Sequence, residues 1–126
     1  DSHGLSGDPV TIAQEYAEAT GMTVAISGAT DVITDGKHTI LVENGHPMMG
    51  SISGTGCMAA SVTGVFVAES KDPVLASAAA FDEFGIASER SAASARGAGS
   101  FKKGLFDELA NLTPEDLARA ARMKTV

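Results

Sequence analysis

The sequence predicts an α/β fold in which a partial sheet with a β-hairpin gives way to several packed helices. Three observations predict it. Short apolar runs bounded by glycine punctuate the first third of the chain. Asp35-Gly36 stands between two strand-like runs, a strong hairpin signal. From Gly56 onward, successive stretches carry the apolar spacing of helices. A strand-rich segment passing through a glycine loop into consecutive helices suggests helices covering a sheet, with a ligand at the carboxyl ends of the strands.

Each element has a local reason. Asp1 to Asp8 is rich in Gly, Ser and Asp and reads as loop, and Asp8-Pro9 supplies an N-cap and a first-turn proline. Ile12, Ala13, Tyr16, Ala17 and Ala19 then recur at helical spacing, and Gly21 suits the C-terminal stop. Thr23-Val24-Ala25-Ile26 reads as a buried strand ending before Gly28. Asp31-Val32-Ile33-Thr34 and His38-Thr39-Ile40-Leu41-Val42 flank Asp35-Gly36 and are expected to pair antiparallel across a type I′ turn. Asn44 to Thr55 shows no periodicity, and its length favours a functional loop. Helices are expected at about residues 56–69, 73–90, 94–109 and 114–123, the last opened by Thr113-Pro114-Glu115. The second half should be nearly all helix.

Composition bounds the function. The chain's 126 residues, 44% hydrophobic, suffice for one core, so residues 1–126 read as a single domain or part of one. Few aromatics and abundant Ala and Gly imply close helix packing through small side chains. A net charge of −7 argues against nucleic acid or an anionic membrane as the main partner, leaving small molecules or proteins. One cysteine cannot form an internal disulfide, no apolar run is long enough to span a membrane, and the amino end lacks a signal-peptide pattern. A cytoplasmic protein is the expectation. His3, His38, His46 and Cys57 lack the close spacing of a zinc site, so no protein-held metal is expected.

The most chemically suggestive run is Gly54-Thr55-Gly56-Cys57. Two glycines permit a tight turn, and the following helix offers peptide N–H groups without intrahelical partners. Such an end favours phosphate or a developing alkoxide, and it favours the thiolate of Cys57. The same residues also suit a plain turn with Cys57 as a small buried side chain. Asp31 and Asp35 read as a turn-forming pair, explained by the hairpin. His46 reads as a loop-fixing hydrogen-bonding residue. Arg96, Lys102 and Lys103 either attract phosphate or are solvated helix-face charges.

The order Ser27-Gly28, Asp31 to Gly36, Asn44-Gly45-His46-Pro47 and Gly54-Thr55-Gly56-Cys57-Met58 resembles the carboxyl-terminal half of the hydroxyethylthiazole kinase family. Asp8-Pro9, Arg96-Gly97-x-Gly99-Ser100-Phe101 and Leu105-Phe106-Asp107-Leu109 look like the same family, so the resemblance covers nearly the whole chain. It implies a ribokinase-like fold and transfer of the ATP γ-phosphate to 4-methyl-5-(2-hydroxyethyl)thiazole, with magnesium, in thiamine biosynthesis. By the same resemblance Cys57 is the base, Gly54 contacts the thiazole, and Ser27 with Gly28 contacts ATP. The amides of Gly54, Thr55, Gly56 and Cys57 would form the anion hole. The family's other half would supply the remaining thiazole contacts, the acidic magnesium residues and an ATP-binding arginine, and its members form trimers. A missing amino-terminal half or complementary chain is therefore an expected partner. Two alternatives stay open: a related hydroxymethyl pyrimidine kinase, and a non-catalytic nucleotide- or vitamin-binding subunit in which Cys57 only packs.

Overall fold

The computed structural model describes residues 7–126; residues 1–6, with His3 and most of the expected opening loop, lie outside the described residues. Helix α1 (Pro9–Thr20) begins where the sequence places it, because the Asp8 carboxylate accepts the N–H groups of Val10 and Thr11. Gly21 ends it in the left-handed region at φ 70°, donating its N–H to Ala17 O at 2.8 Å. Strands β1 (Val24–Ile26), β2 (Asp31–Thr34) and β3 (Thr39–Val42) follow, then a 3₁₀ turn (Pro47–Ser51) and α2 (Thr55–Ala68). Helices α3 (Pro73–Ser94), α4 (Ala98–Asn111) and α5 (Pro114–Ala120) lead to a final strand, β4 (Met123–Thr125). The four strands form an antiparallel sheet in the order β1-β2-β3-β4.

The side-chain period of two along β2 decides the layering. Ile33 joins Val42, Ile40, Val74, Ala78 and Phe81 in a cluster beneath α3, and Val32 points to the opposite side. There α1 covers the sheet with Ala13 and Ala17, and Gln14 Nε2 donates to Thr39 Oγ1 at 2.9 Å. All four residues of β2 are consequently buried. Helix α3 is the central element: beyond its sheet contacts, Phe84 and Ala87 meet Ala59 of α2 and Leu105 of α4 in a second cluster. Small side chains line its buried face, as the composition requires.

Several expectations are corrected. The hairpin connects Thr34 to Thr39 through four residues, and only Gly36 among them has positive φ, at 93°, so the turn is not type I′. The Asp35 carboxylate accepts the N–H groups of Lys37 and His38 and holds the wider loop closed. Gly36 is needed there because a Cβ would lie 2.7 Å from Cγ of Glu18 on α1. Strand β1 is half-buried rather than buried, since it lies at the sheet edge with Ala25 exposed. The last helix stops at Ala120, and residues 123–125 pair with β3 instead. Local periodicity cannot see that partner, which becomes available only when β3 presents its free edge.

Candidate functional site at the strand ends

Three connections converge at one end of the sheet. Residues 27–30 join β1 to β2, Asn44 leaves β3, and the 3₁₀ turn delivers the chain to α2. Around them lies a cavity of about 310 Å³ open to solvent. Ser27, Gly28 and Asp31 form one wall and Asn44 with Met49 another. Thr55, Gly56 and Ala59 of α2 face Phe81, Phe84 and Gly85 of α3. An apolar floor with a few polar groups at the rim is the usual character of a small-molecule site.

The glycine loop has the geometry that its sequence suggests. Gly54 caps α2 at φ 92°, in the left-handed region, and no side chain bonds to that end of the helix. The first intrahelical bond there runs from Met58 N–H to Gly54 O at 2.9 Å, which leaves the amides of Thr55, Gly56 and Cys57 without helical acceptors. Thr55 Oγ1 donates to Met49 O at 3.3 Å and ties the loop to the 3₁₀ turn. His46 fixes the start of that turn, its Nδ1 accepting the Met48 N–H at 3.1 Å. Its side chain thus has the loop-fixing role expected of it.

Cys57 stands apart from the cavity. Its side chain is exposed, which removes the reading of a small buried cysteine, and it borders a shallow groove with Met58, Ser61, Val62, Phe106 and Leu109. Of the residues singled out in the sequence, the fold therefore brings Ser27, Gly28, Thr55 and Gly56 to one cavity, while Gly54 is not among its lining residues and Cys57 borders the separate groove. Arg96, Lys102 and Lys103 are exposed on or near α4 and do not line it.

Three further residues matter here and were not legible as site residues. Asp31 belongs to the cavity wall, not to the hairpin turn: it is 8% exposed and its Oδ1 accepts the Gly28 N–H at 2.9 Å. Burial pushes its carboxyl up to about 6, and the Gly28 bond only partly offsets that. Gly85 looks like part of an ordinary core stripe, yet a Cβ there would fall 2.5 Å from Asn44 O. Only glycine lets α3 approach the end of β3 so closely. Glu89 accepts the Gly45 N–H at 2.8 Å and pairs with Arg122, while Asn44 Oδ1 accepts the Arg122 N–H at 2.7 Å. Burial opposes ionisation of Glu89, but Arg122, Gly45 and Asn44 together hold its carboxyl below the usual value. This clasp fixes the cavity wall through Arg122, which leads into the carboxyl-terminal strand, a contact between residues far apart in sequence.

The fold and cavity define an α/β protein whose candidate site is a cavity assembled from strand ends and a helix N-terminus with no side-chain cap. The profile of the hydroxyethylthiazole kinase family matches residues 1–115. The chain belongs to that family. It is 55% identical over 124 residues to a hydroxyethylthiazole kinase of Methanoculleus marisnigri, covering 98% of this chain and 44% of the relative. A second, from Methanocella arvoryzae, is 51% identical over 124 residues, covering 98% of this chain and 47% of the relative. The solved structure of a hydroxyethylthiazole kinase protein from Pyrococcus horikoshii OT3 superposes with a TM-score of 0.89 at 37% identity, over 93% of this chain and 46% of that one. The ribokinase-like fold expected from the resemblance is thereby established. The chain spans about half the length of the curated relatives it matches.

Proposed function

We propose that this chain is the carboxyl-terminal part of a ribokinase-like kinase domain that transfers the ATP γ-phosphate to the hydroxyl of 4-methyl-5-(2-hydroxyethyl)thiazole. The observation that carries the reading is the single cavity shared by the Ser27-Gly28 strand end and the bare N-terminus of α2. Phosphoryl transfer depends mainly on in-line positioning and on stabilising charge at the transferring group. The amides of Thr55, Gly56 and Cys57 suit that second task. Because the Gly28 N–H is already given to Asp31, the β1–β2 turn offers ATP the Ser27 hydroxyl and a close approach over a residue without a Cβ.

Gly54 contacts the thiazole in this reading, and Cys57 takes the proton of the attacking alcohol. Magnesium comes with ATP, and the family's other half supplies its acidic ligands; Asp31, the sole carboxylate among the cavity-lining residues, is engaged with the Gly28 N–H. That half, as a continuation of the chain or as a complementary chain, is the proposed partner. The whole enzyme is proposed as a cytoplasmic homotrimer on the strength of the family resemblance. Consistent with a metabolic enzyme, no helix among the described residues is long and apolar enough to cross a membrane.

The test is formation of thiazole phosphate from ATP and hydroxyethylthiazole, by this chain alone and after assembly with the amino-terminal half of a relative. Product from the assembled preparation is expected. In it, Cys57→Ala should lower kcat by about ten- to a hundredfold without abolishing turnover; an unchanged rate would remove Cys57 as the base. A non-catalytic binding subunit draws support from one observation, the exposure of Cys57 on a groove separate from the cavity. ATP binding without turnover in the assembled preparation would select that reading.

A further inference from the structure

We infer that Asp31 is a positioning residue for the nucleotide end of the cavity, acting through its acceptor oxygen on the Gly28 N–H and not through its charge. The inference rests on the assignment of Ser27 and Gly28 to ATP given above. Four residues cross from β1 to β2, and the first three of them, Ser27, Gly28 and Ala29, line the cavity. Asp31 is the first residue of β2, held in register opposite Val42 of β3, so its backbone is fixed by the sheet. Its side chain lies on the face of Ile33, toward α3, and reaches back three residues to Gly28 at 2.9 Å. A turn otherwise free to vary is in this way pinned to a rigid strand.

The charge is a poor explanation for the residue's presence. A carboxylate 8% exposed, beside a cavity meant for a polyphosphate, repels the ligand and resists ionisation. Its raised pKa, about 6, expresses the same burial. What the position does supply is an acceptor in reach of a backbone N–H that has no strand partner. An unsatisfied N–H there would free the turn to reorient toward water, moving the Ser27 hydroxyl with it.

Two substitutions separate acceptor from charge. Asp31→Asn keeps an acceptor oxygen and removes the charge, whereas Asp31→Ala removes both. In the assembled preparation, KM for ATP is expected to rise about tenfold in Asp31→Ala, with KM for the thiazole unchanged, and to stay at or below the wild-type value in Asp31→Asn. Amide exchange at Gly28, measured on the chain itself, should quicken about tenfold in Asp31→Ala and return to the wild-type rate in Asp31→Asn. Equal loss in both variants would overturn the inference, since charge or metal ligation would then be the role. An equal rise in both KM values in Asp31→Ala would overturn it in favour of a general structural role. If the wild-type preparation binds no ATP, the kinase reading fails and the Gly28 exchange rates alone decide: unchanged exchange in Asp31→Ala refutes the pinning of the turn, and faster exchange rescued by Asn upholds it.

Discussion

Asp82 shows at the residue scale how burial, rather than residue type, sets a group's behaviour. It lies on the face of α3 that carries Gly85 and Glu89, is 3% exposed, and its Oδ1 has no hydrogen-bond partner among the described residues. Burial pushes its carboxyl from 3.8 up to about 6. A carboxyl raised in the folded state binds its proton more tightly than in the unfolded chain. Its contribution to stability is therefore fully present below about 3.8 and is lost as the pH rises through about 6. Asp82→Asn cannot ionise, so its advantage over wild type should be least near pH 4 and should grow toward pH 7. Urea midpoints across that range test it, and parallel pH profiles for the two proteins would refute it. Nothing in the sequence distinguishes Asp82 from Glu83 beside it. Helical phase and the approach of Arg122 make the difference.

At the scale of elements, the start of α2 combines two glycines with opposite constraints, Gly54 at its cap and Gly56 in its first turn. Gly54 has φ 92°, so Gly54→Ala should cost about 1–3 kcal/mol through backbone strain alone, as no atom lies within 4 Å of the added methyl. Gly56 has ordinary helical backbone and equally open space around it. Gly56→Ala should stabilise the protein by up to about 1 kcal/mol through helix propensity, while under the proposed function a methyl added at this cavity-lining position should weaken ATP binding. Paired denaturant melts and ATP titrations check both statements; tighter ATP binding by Gly56→Ala would remove α2 from the nucleotide site. Helix starts were legible wherever a cap is local. Asp8, Asp72 and Thr113 each accept a backbone N–H from the first turn that follows, and Thr113 forms a capping box with Asp116. The end of α3 was less legible, because Ser91 and Ala92 continue a helix whose stop depends on Gly97 and on Ser100 Oγ accepting the Arg96 N–H.

At the scale of the whole molecule, two surfaces stand out. Helix α2 carries no charged residue and is apolar around its circumference, yet only Ala59 is buried and Val65 is 65% exposed. Strand β1 leaves one edge of the sheet unpaired. Both fit a chain that spans about half the length of its relatives. Under the proposed function, assembly with the amino-terminal half of a relative should slow amide exchange in β1 and bury the free face of α2. Product formation without protection of either surface would mean that the halves meet elsewhere. The sequence by itself determined the local and periodic features: the helix caps, the antiparallel pairing of β2 with β3, the glycine loop that opens α2, and the family. These depend on residues a few positions apart. Tertiary structure alone decided which residues share the cavity, the place of Asp31 in its wall, the need for glycine at 85, and the exposure of Cys57. It also turned residues 123–125 into a strand paired with β3, just after Arg122, which Glu89 and Asn44 hold. Each of those depends on a neighbour brought from far along the chain, and neither periodicity nor propensity carries that information.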